Sequence, residues 1–294
     1  MLRIVENFNT WVRALRYPLI ASCLIATGCS AISLGYGVLP AYALFSIERY
    51  FSFDDAQRTQ VRLALDELHV WHRKQELPQY RKLLVESAAR SKRPLQMDDM
   101  KWFRDQLNIR WAVTADKIAL PFAELAVTLR PEQINKMRKK FAEQNIESRE
   151  KYFQADLSER AEERVKRSRE RFETFFGTVS DQQTTVLAEQ LKQLPIQDEN
   201  WYIERLARQK AFSDLLEKIR KEQMPKDQAA SALKDYMLKV NNASDPARQP
   251  YFDRALRVSD EMTIKLHGSI DAGQRSYLAK KLEGWILDID GLVR

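Results

Sequence analysis

The side chains best placed to do chemistry in this sequence are Asp66, His69, His72 and Glu76. On a helix they fall within about one third of the circumference, so two of them could meet a divalent cation through imidazole nitrogen and carboxylate oxygen. One helix seldom closes a tetrahedral site. Glu132, Glu143 and His267 could complete the set, but no spacing ties them to the first four. The same residues also have a structural account, with His72 and Arg73 flanking Trp71 and pairing with Glu67 or Glu76. Two carboxylate pairs, Asp98-Asp99 and Asp288-x-Asp290, suit acid–base work. Asp98-Asp99 equally suit the first turn of a helix, where negative charge is favoured by ~0.3–1 kcal/mol. There is no Gly-x-Ser-x-Gly, no His-Glu-x-x-His and no Gly-rich phosphate loop. The expectation is a protein that is not an enzyme, with no catalytic residues and no cofactor. No metal is expected either, His69, His72 and Glu76 being the residues that would hold one.

Composition narrows the frame in the same direction. Of 294 residues, 44% are apolar and 30% charged, which excludes wholesale disorder. Eight Gly and ten Pro are too few for a loop-rich barrel, and three His leave little material for a metal or triad enzyme. Both Cys, Cys23 and Cys29, lie in the first thirty residues, which excludes a disulfide scaffold in the body.

The N-terminal segment sets the expected compartment. Arg3, Arg13 and Arg16 precede a short apolar run that ends in small residues, the layout of a secretory signal peptide. Ala26-Thr27-Gly28-Cys29 resembles the lipobox of bacterial lipoproteins, with Ala where Leu is commoner. The resemblance implies cleavage after residue 28 and acylation of Cys29, palmitate included. Several acyl chains, at roughly 0.8 kcal/mol per buried CH₂, anchor stably where one does not. Ser30 rather than Asp follows the Cys, which by the known sorting pattern implies the periplasmic face of the outer membrane. An uncleaved anchor is the alternative, because no charge lies between Arg16 and Glu48. Behind a signal peptide, the basic balance (net +7) points to headgroups, acidic proteins or cell-wall polymers rather than nucleic acid.

The rest of the chain reads as all-α. Apolar residues recur at three- and four-residue steps: Val61, Leu65, Leu68 and Trp71, then Trp102, Leu107, Ile109 and Trp111. Pro78 marks a kink or break, and Pro121 and Pro131 bracket a turn. From Glu132 to Phe176 there is neither Gly nor Pro, which predicts one long central helix of about 65–70 Å. Further helices are expected over 181–194, 201–222, 226–241, 246–266 and 272–289. The expected organisation is a signal peptide (1–28), a lipidated, membrane-proximal segment (29–52) and one elongated helical domain (53–294). Within that domain, lobes 53–145 and 177–294 are joined by the 131–176 helix. The aromatic stretch from Tyr36 to Phe53 either packs on the body or enters the membrane interface.

One pattern goes beyond amphipathicity. Phe53-Asp-Asp-Ala-Gln57, Leu129-Arg-Pro-Glu-Gln133, Val179-Ser-Asp-Gln-Gln183 and Ile270-Asp-Ala-Gly-Gln274 share an apolar residue followed by Gln four positions later. Apolar residues recur four and eight positions past each Gln. The physical account is a capping box, in which the Asp or Ser caps the helix and the Gln reaches back to the cap N–H. The segments resemble the LTxxQ motif of Spy-type periplasmic chaperones, with Asp, Arg, Ser and Asp in place of Thr. A second resemblance spans nearly the full length. The lipobox, Asp54-Asp-Ala-Gln57, Trp71-His-Arg73, Glu76-Leu-Pro78, Tyr80 and Leu129–Gln133 are similar to an uncharacterised family of proteobacterial lipoproteins, classed as a domain of unknown function.

Lys139, Lys140, Arg167, Arg171, Phe172 and Phe176 form a candidate client-binding surface, offering charge beside apolar grip. A solvated face with its aromatics turned inward is the alternative. The function expected is a membrane-anchored envelope lipoprotein that binds unfolded or envelope proteins in a chaperone-like or stress-related role. The alternative is a scaffold for a dedicated partner or the cell wall, and a metal-assisted hydrolase using His69 and His72 stands behind both.

Overall fold

A computed structural model describes residues 35–153, 156–194 and 199–294, and among these there are helices and no strands. The lipobox and Cys29 lie outside the described residues. Two units are distinguished, Met1–Leu39 and Pro40–Arg294, and the apolar cores belong to the second. Its helices are α1 (Leu39–Phe51), α2 (Asp55–Trp71), α3 (Leu77–Arg90), α4 (Met97–Ala126), α5 (Pro131–Phe153) and α6 (Leu157–Phe176). They continue as α7 (Asp181–Leu191), α8 (Glu199–Lys221), α9 (Lys226–Leu238), α10 (Gln249–Gly268) and α11 (Ala272–Val293).

The four repeated segments start α2, α5, α7 and α11. In α2, Asp54 Oδ1 accepts from the Gln57 backbone N–H at 2.9 Å, and Gln57 Oε1 accepts from the Asp54 N–H at 3.3 Å. The Ser180/Gln183 and Asp271/Gln274 boxes close in the same way. In the remaining copy Arg130 has no acceptor to offer. Gln133 still reaches back to the Arg130 N–H at 2.9 Å, and Pro131 supplies a first helical residue that lacks an N–H.

The boxes then pair, which local sequence does not announce. The side-chain amides of Gln57 and Gln133 bond reciprocally, at 3.2 and 2.6 Å. Gln183 and Gln274 do the same at 2.9 Å in both directions. Each Gln also donates to the carbonyl just before its partner's motif: Gln57 to Thr128, Gln133 to Ser52, Gln183 to Ser269 and Gln274 to Thr178. All four glutamines are buried. The result is two glutamine clasps built to one local plan, each tying together two helix starts (α2 with α5, and α7 with α11).

Below each clasp lies a core. The first holds Phe53, Val61, Leu129, Ile134 and Met137, together with Leu216 and Ile219 of α8 and Leu233 of α9. The second holds Phe172, Phe176, Leu187, Leu266, Leu278 and Leu282, with Leu84 of α3 packed against it. Helices therefore cross between the sequence halves: α9 runs along α4, and α3 along α11.

Three expectations about helix breaks change. The 131–176 segment is not one helix, because Asp156 is extended and caps a new one by accepting from the Glu159 N–H at 2.9 Å. Asp-x-x-Glu is a start signal even where no Gly or Pro stands. Pro121 does not end α4 but lies inside it, on a helix against which α9 packs. Pro78 is absorbed differently: residues His72–Glu76 form a π-turn whose Leu77 N–H bonds the His72 carbonyl, after which α3 carries Pro78 in its first turn. Gly177 ends α6 at φ 79°, and a Cβ there would stand 2.9 Å from the Tyr277 ring.

Gln57→Ala strands the Gln133 amide and the Thr128 carbonyl in a buried site, and each unsatisfied group costs ~1–3 kcal/mol. The expected result is a large fall in the urea midpoint for either Gln57→Ala or Gln133→Ala. The double variant should cost clearly less than the sum. Additive losses in equilibrium unfolding would show that the two amides do not act as a unit.

Candidate functional site

Each half builds an apolar cleft of about 380 Å³. Such a volume lies within the range of ordinary ligand pockets. Ile47 and Phe51 of α1, Val61 and Leu65 of α2 and Ile118 and Phe122 of α4 line the first. Trp102 and Phe103 of α4, Phe172 and Phe175 of α6, Leu282 and Trp285 of α11 line the second. One wall is equivalent in the two. Counted back from the clasp glutamine that follows, Ile118, Pro121 and Phe122 of α4 stand where Ser259, Met262 and Thr263 of α10 stand.

Their charged fringes differ. Glu67 and Lys117 are the charged residues at the first cleft. The second carries Arg90, Arg104, Arg171, Asp99 and Asp260. Asp99 is nearly inaccessible at 3% exposure and is gripped by Arg93 (2.7 Å), Arg90 (2.8 Å) and the Gln96 N–H (2.8 Å). The Arg93 guanidinium, helped by the Gln96 N–H and Arg90, holds its carboxyl well below the usual range. Asp260 meets one Arg104 nitrogen at 2.6 and 2.7 Å, yet burial outweighs that pairing and pushes its pKa up. Arg90 also lies 4.2 Å over the Trp102 ring. His267 is buried, with Nε2 3.0 Å from the Ser91 carbonyl, which fixes the proton on that nitrogen. Burial lowers its pKa.

The residues singled out for chemistry do not converge. Among the described residues no group of three or more His, Cys, Asp or Glu is placed to hold a metal ion. Glu76 is buried in the π-turn and faces Arg110 at 3.4 Å, while His72 packs beside Tyr80 with ring centres 5.8 Å apart. Asp99 lies in the first turn of α4, and Asp290 pairs with Arg81 of α3.

The candidate client surface needs correction at its aromatic end. Phe172 and Phe176 are 7% and 5% exposed and stack on each other in the second core, so they are not a surface grip. As an i, i+4 pair on an otherwise charged helix, they form the stripe that attaches α6 to the body. Arg171 stays exposed beside the second cleft and Lys139 is exposed on α5, whereas Lys140 pairs with Glu143 at 2.8 Å and Arg167 approaches Glu163 at 3.9 Å.

Sequence reasoning missed the buried carboxylate of Glu204. It accepts from the Ser244 N–H and hydroxyl (2.9 and 2.8 Å), from Arg208 (2.7 Å) and from Arg248 (3.3 Å), securing the α9–α10 connection to α8. Only the Glu204–Arg208 step was visible as an i, i+4 pair.

A family model described as a family of unknown function (DUF6279) matches residues 49–239. The chain belongs to this family. The DUF6279 match contains the whole first clasp and Gln183 of the second, and it stops short of Gln274. No curated protein and no solved structure matches the chain.

The clefts' surroundings predict acid sensitivity. His267 and His72 have folded-state pKa values below 6.5, each chiefly through burial, so folding favours their neutral forms. Below pH ~6.5 the unfolded chain binds the extra protons, and stability falls as pH falls. Asp99 adds a further loss as pH falls below its ordinary 3.8, while Asp260, whose folded pKa is raised, acts in the opposite sense just above 3.8. Urea midpoints should be flat above pH 7 and fall from 6.5 to 5. His267→Gln, which keeps a donor for the Ser91 carbonyl, should shrink that fall. An unchanged slope in the variant would remove His267 from the account.

Proposed function

We propose that the chain is a lipid-anchored protein of the bacterial periplasm that holds other proteins transiently and catalyses no reaction. Apolar side chains of the client enter the two clefts, and the basic fringe of the second favours clients with acidic flanks. The observation that carries this reading is the pair of apolar clefts of similar volume, one bordering each core. The four glutamine helix starts, similar to the LTxxQ segments of periplasmic chaperones, support it from the sequence. The lipobox-like Ala26–Cys29 supports the anchor, and Ser30 supports the outer membrane as its location.

The test is light scattering of a chemically denatured model protein diluted with and without the chain from Ser30 onward. Suppression is expected near equimolar ratio and should weaken with salt. Leu68→Gln with Trp285→Gln, at half-buried positions lining the two clefts, should weaken it several-fold while helicity is retained. Phe172 and Phe176 are unsuitable probes, because their removal disrupts the second core. No suppression at large excess would count against holding and favour a scaffold for one dedicated partner.

A further inference from the structure

Helix α1 is apolar on two sides. Leu44, Ile47, Tyr50 and Phe51 face the first core. On the other side Leu39, Tyr42 and Phe45 are 39%, 41% and 60% exposed, with exposed Ala41 between them. A helix that is apolar all round belongs where both sides are covered. The described residues cover one.

The chain itself says what covers the other. Ser30 to Ile47 carries no charge, and Leu39 follows Cys29 by ten residues. At full extension these span at most about 36 Å, roughly one bilayer thickness. If Cys29 carries acyl chains, α1 is therefore held within reach of the lipid surface. The helix is also too short and too interrupted by the body to cross: among the described residues, no helix is long and apolar enough to span a membrane. It can lie in the interface, as monotopic helices do.

The charges beside α1 suit headgroup phosphates. Arg49 ends the exposed side in the last turn. Lys136 of α5 reaches back to the Glu48 carbonyl (3.4 Å) and the Ser52 hydroxyl, which brings the start of α5 against the end of α1. Exposed Lys139 lies one turn further on. Two carboxylates nearby are engaged, Glu48 with Arg58 and Asp54 with Arg130 at 2.6 Å, while Asp55 and Glu132 are exposed.

We infer that the Tyr42–Phe45 side of α1 is a docking surface for a phospholipid bilayer, inserted at headgroup depth with Arg49 and Lys139 on the phosphates. The inference rests on the lipid-anchor reading for its geometry but makes a separate claim. The anchor tethers, whereas α1 fixes which side of the body faces the membrane.

The experiment uses the full chain, isolated with its membrane modification and reconstituted in phosphatidylethanolamine/phosphatidylglycerol vesicles. A nitroxide is placed at Ala41→Cys, or as reference at Lys210→Cys, whose side chain is 78% exposed on α8. Cys23→Ser is present in both. Collision with oxygen relative to a water-soluble nickel chelate should be several-fold higher at 41 than at 210. Tyr42→Ser with Phe45→Ser should abolish the difference. Equal, aqueous values at 41 and 210 would overturn the docking surface. The mass of the Cys29 peptide reports the anchor separately. If it is unacylated, the anchor reading fails, and the Cys29→Ser chain added to vesicles tests α1 alone. Nitroxide immersion at 41 would then support the surface, and an aqueous 41 would overturn it.

Discussion

A buried primary amide has two donors and two acceptor sites to satisfy, and each clasp glutamine is asked to do so far from water. Gln57 does it by taking the Asp54 N–H and the Gln133 amide on its oxygen, and giving its own hydrogens to the Thr128 carbonyl and back to Gln133. Because the two partners are the same residue in the same role, one geometry serves both. The helix start, the turn before the partner helix and the approach of the two helix starts are fixed by a single set of bonds. Remove the clasp and the first residues of α2 and α5 lose cap, register and neighbour together. The cores below it, and the clefts those cores leave open, inherit their positions from this constraint.

The same plan is used twice, but the two halves are not self-sufficient. Each completes its core with a helix from elsewhere: α8 and α9 for the first, α3 for the second. This interleaving explains how a 30% charged chain assembles without long apolar runs. Most helices need only a narrow stripe, and α6 manages with Phe172 and Phe176 at its end. The clefts diverge where the borrowed helices differ. The α3–α4 region brings Arg90 and Asp99 to the second cleft, whereas Glu67 and Lys117 are the charged residues at the first.

What could be read in advance was local. Helix starts at 55, 181 and 272 follow from cap and glutamine chemistry that acts over three residues. The pairing of those starts could not be read, because it joins residues 76 and 91 positions apart through groups that look alike in every copy. Pro121 was misjudged because packing of α9 on α4 overrides a local preference. The break at Asp156 was missed because Gly and Pro are not the only stops. Phe172 and Phe176 looked like surface grip amid the charges of α6, and periodicity alone does not say which stripe of a helix turns inward. The clefts left no sequence signal, since their walls use the same Phe, Leu and Trp as the cores.

The separation of the clasp partners also has a consequence in time. When Gln57 leaves the ribosome, the residue that completes its clasp lies 76 positions behind it. At ~5–20 residues per second, that wait lasts about 4–15 s. Through that interval α2 has its cap but not its partner, and the carbonyl meant for the Gln133 amide faces solvent. The first clasp of a chain built this way cannot close until residue 133 has been made, so its order of assembly is set by the order of synthesis.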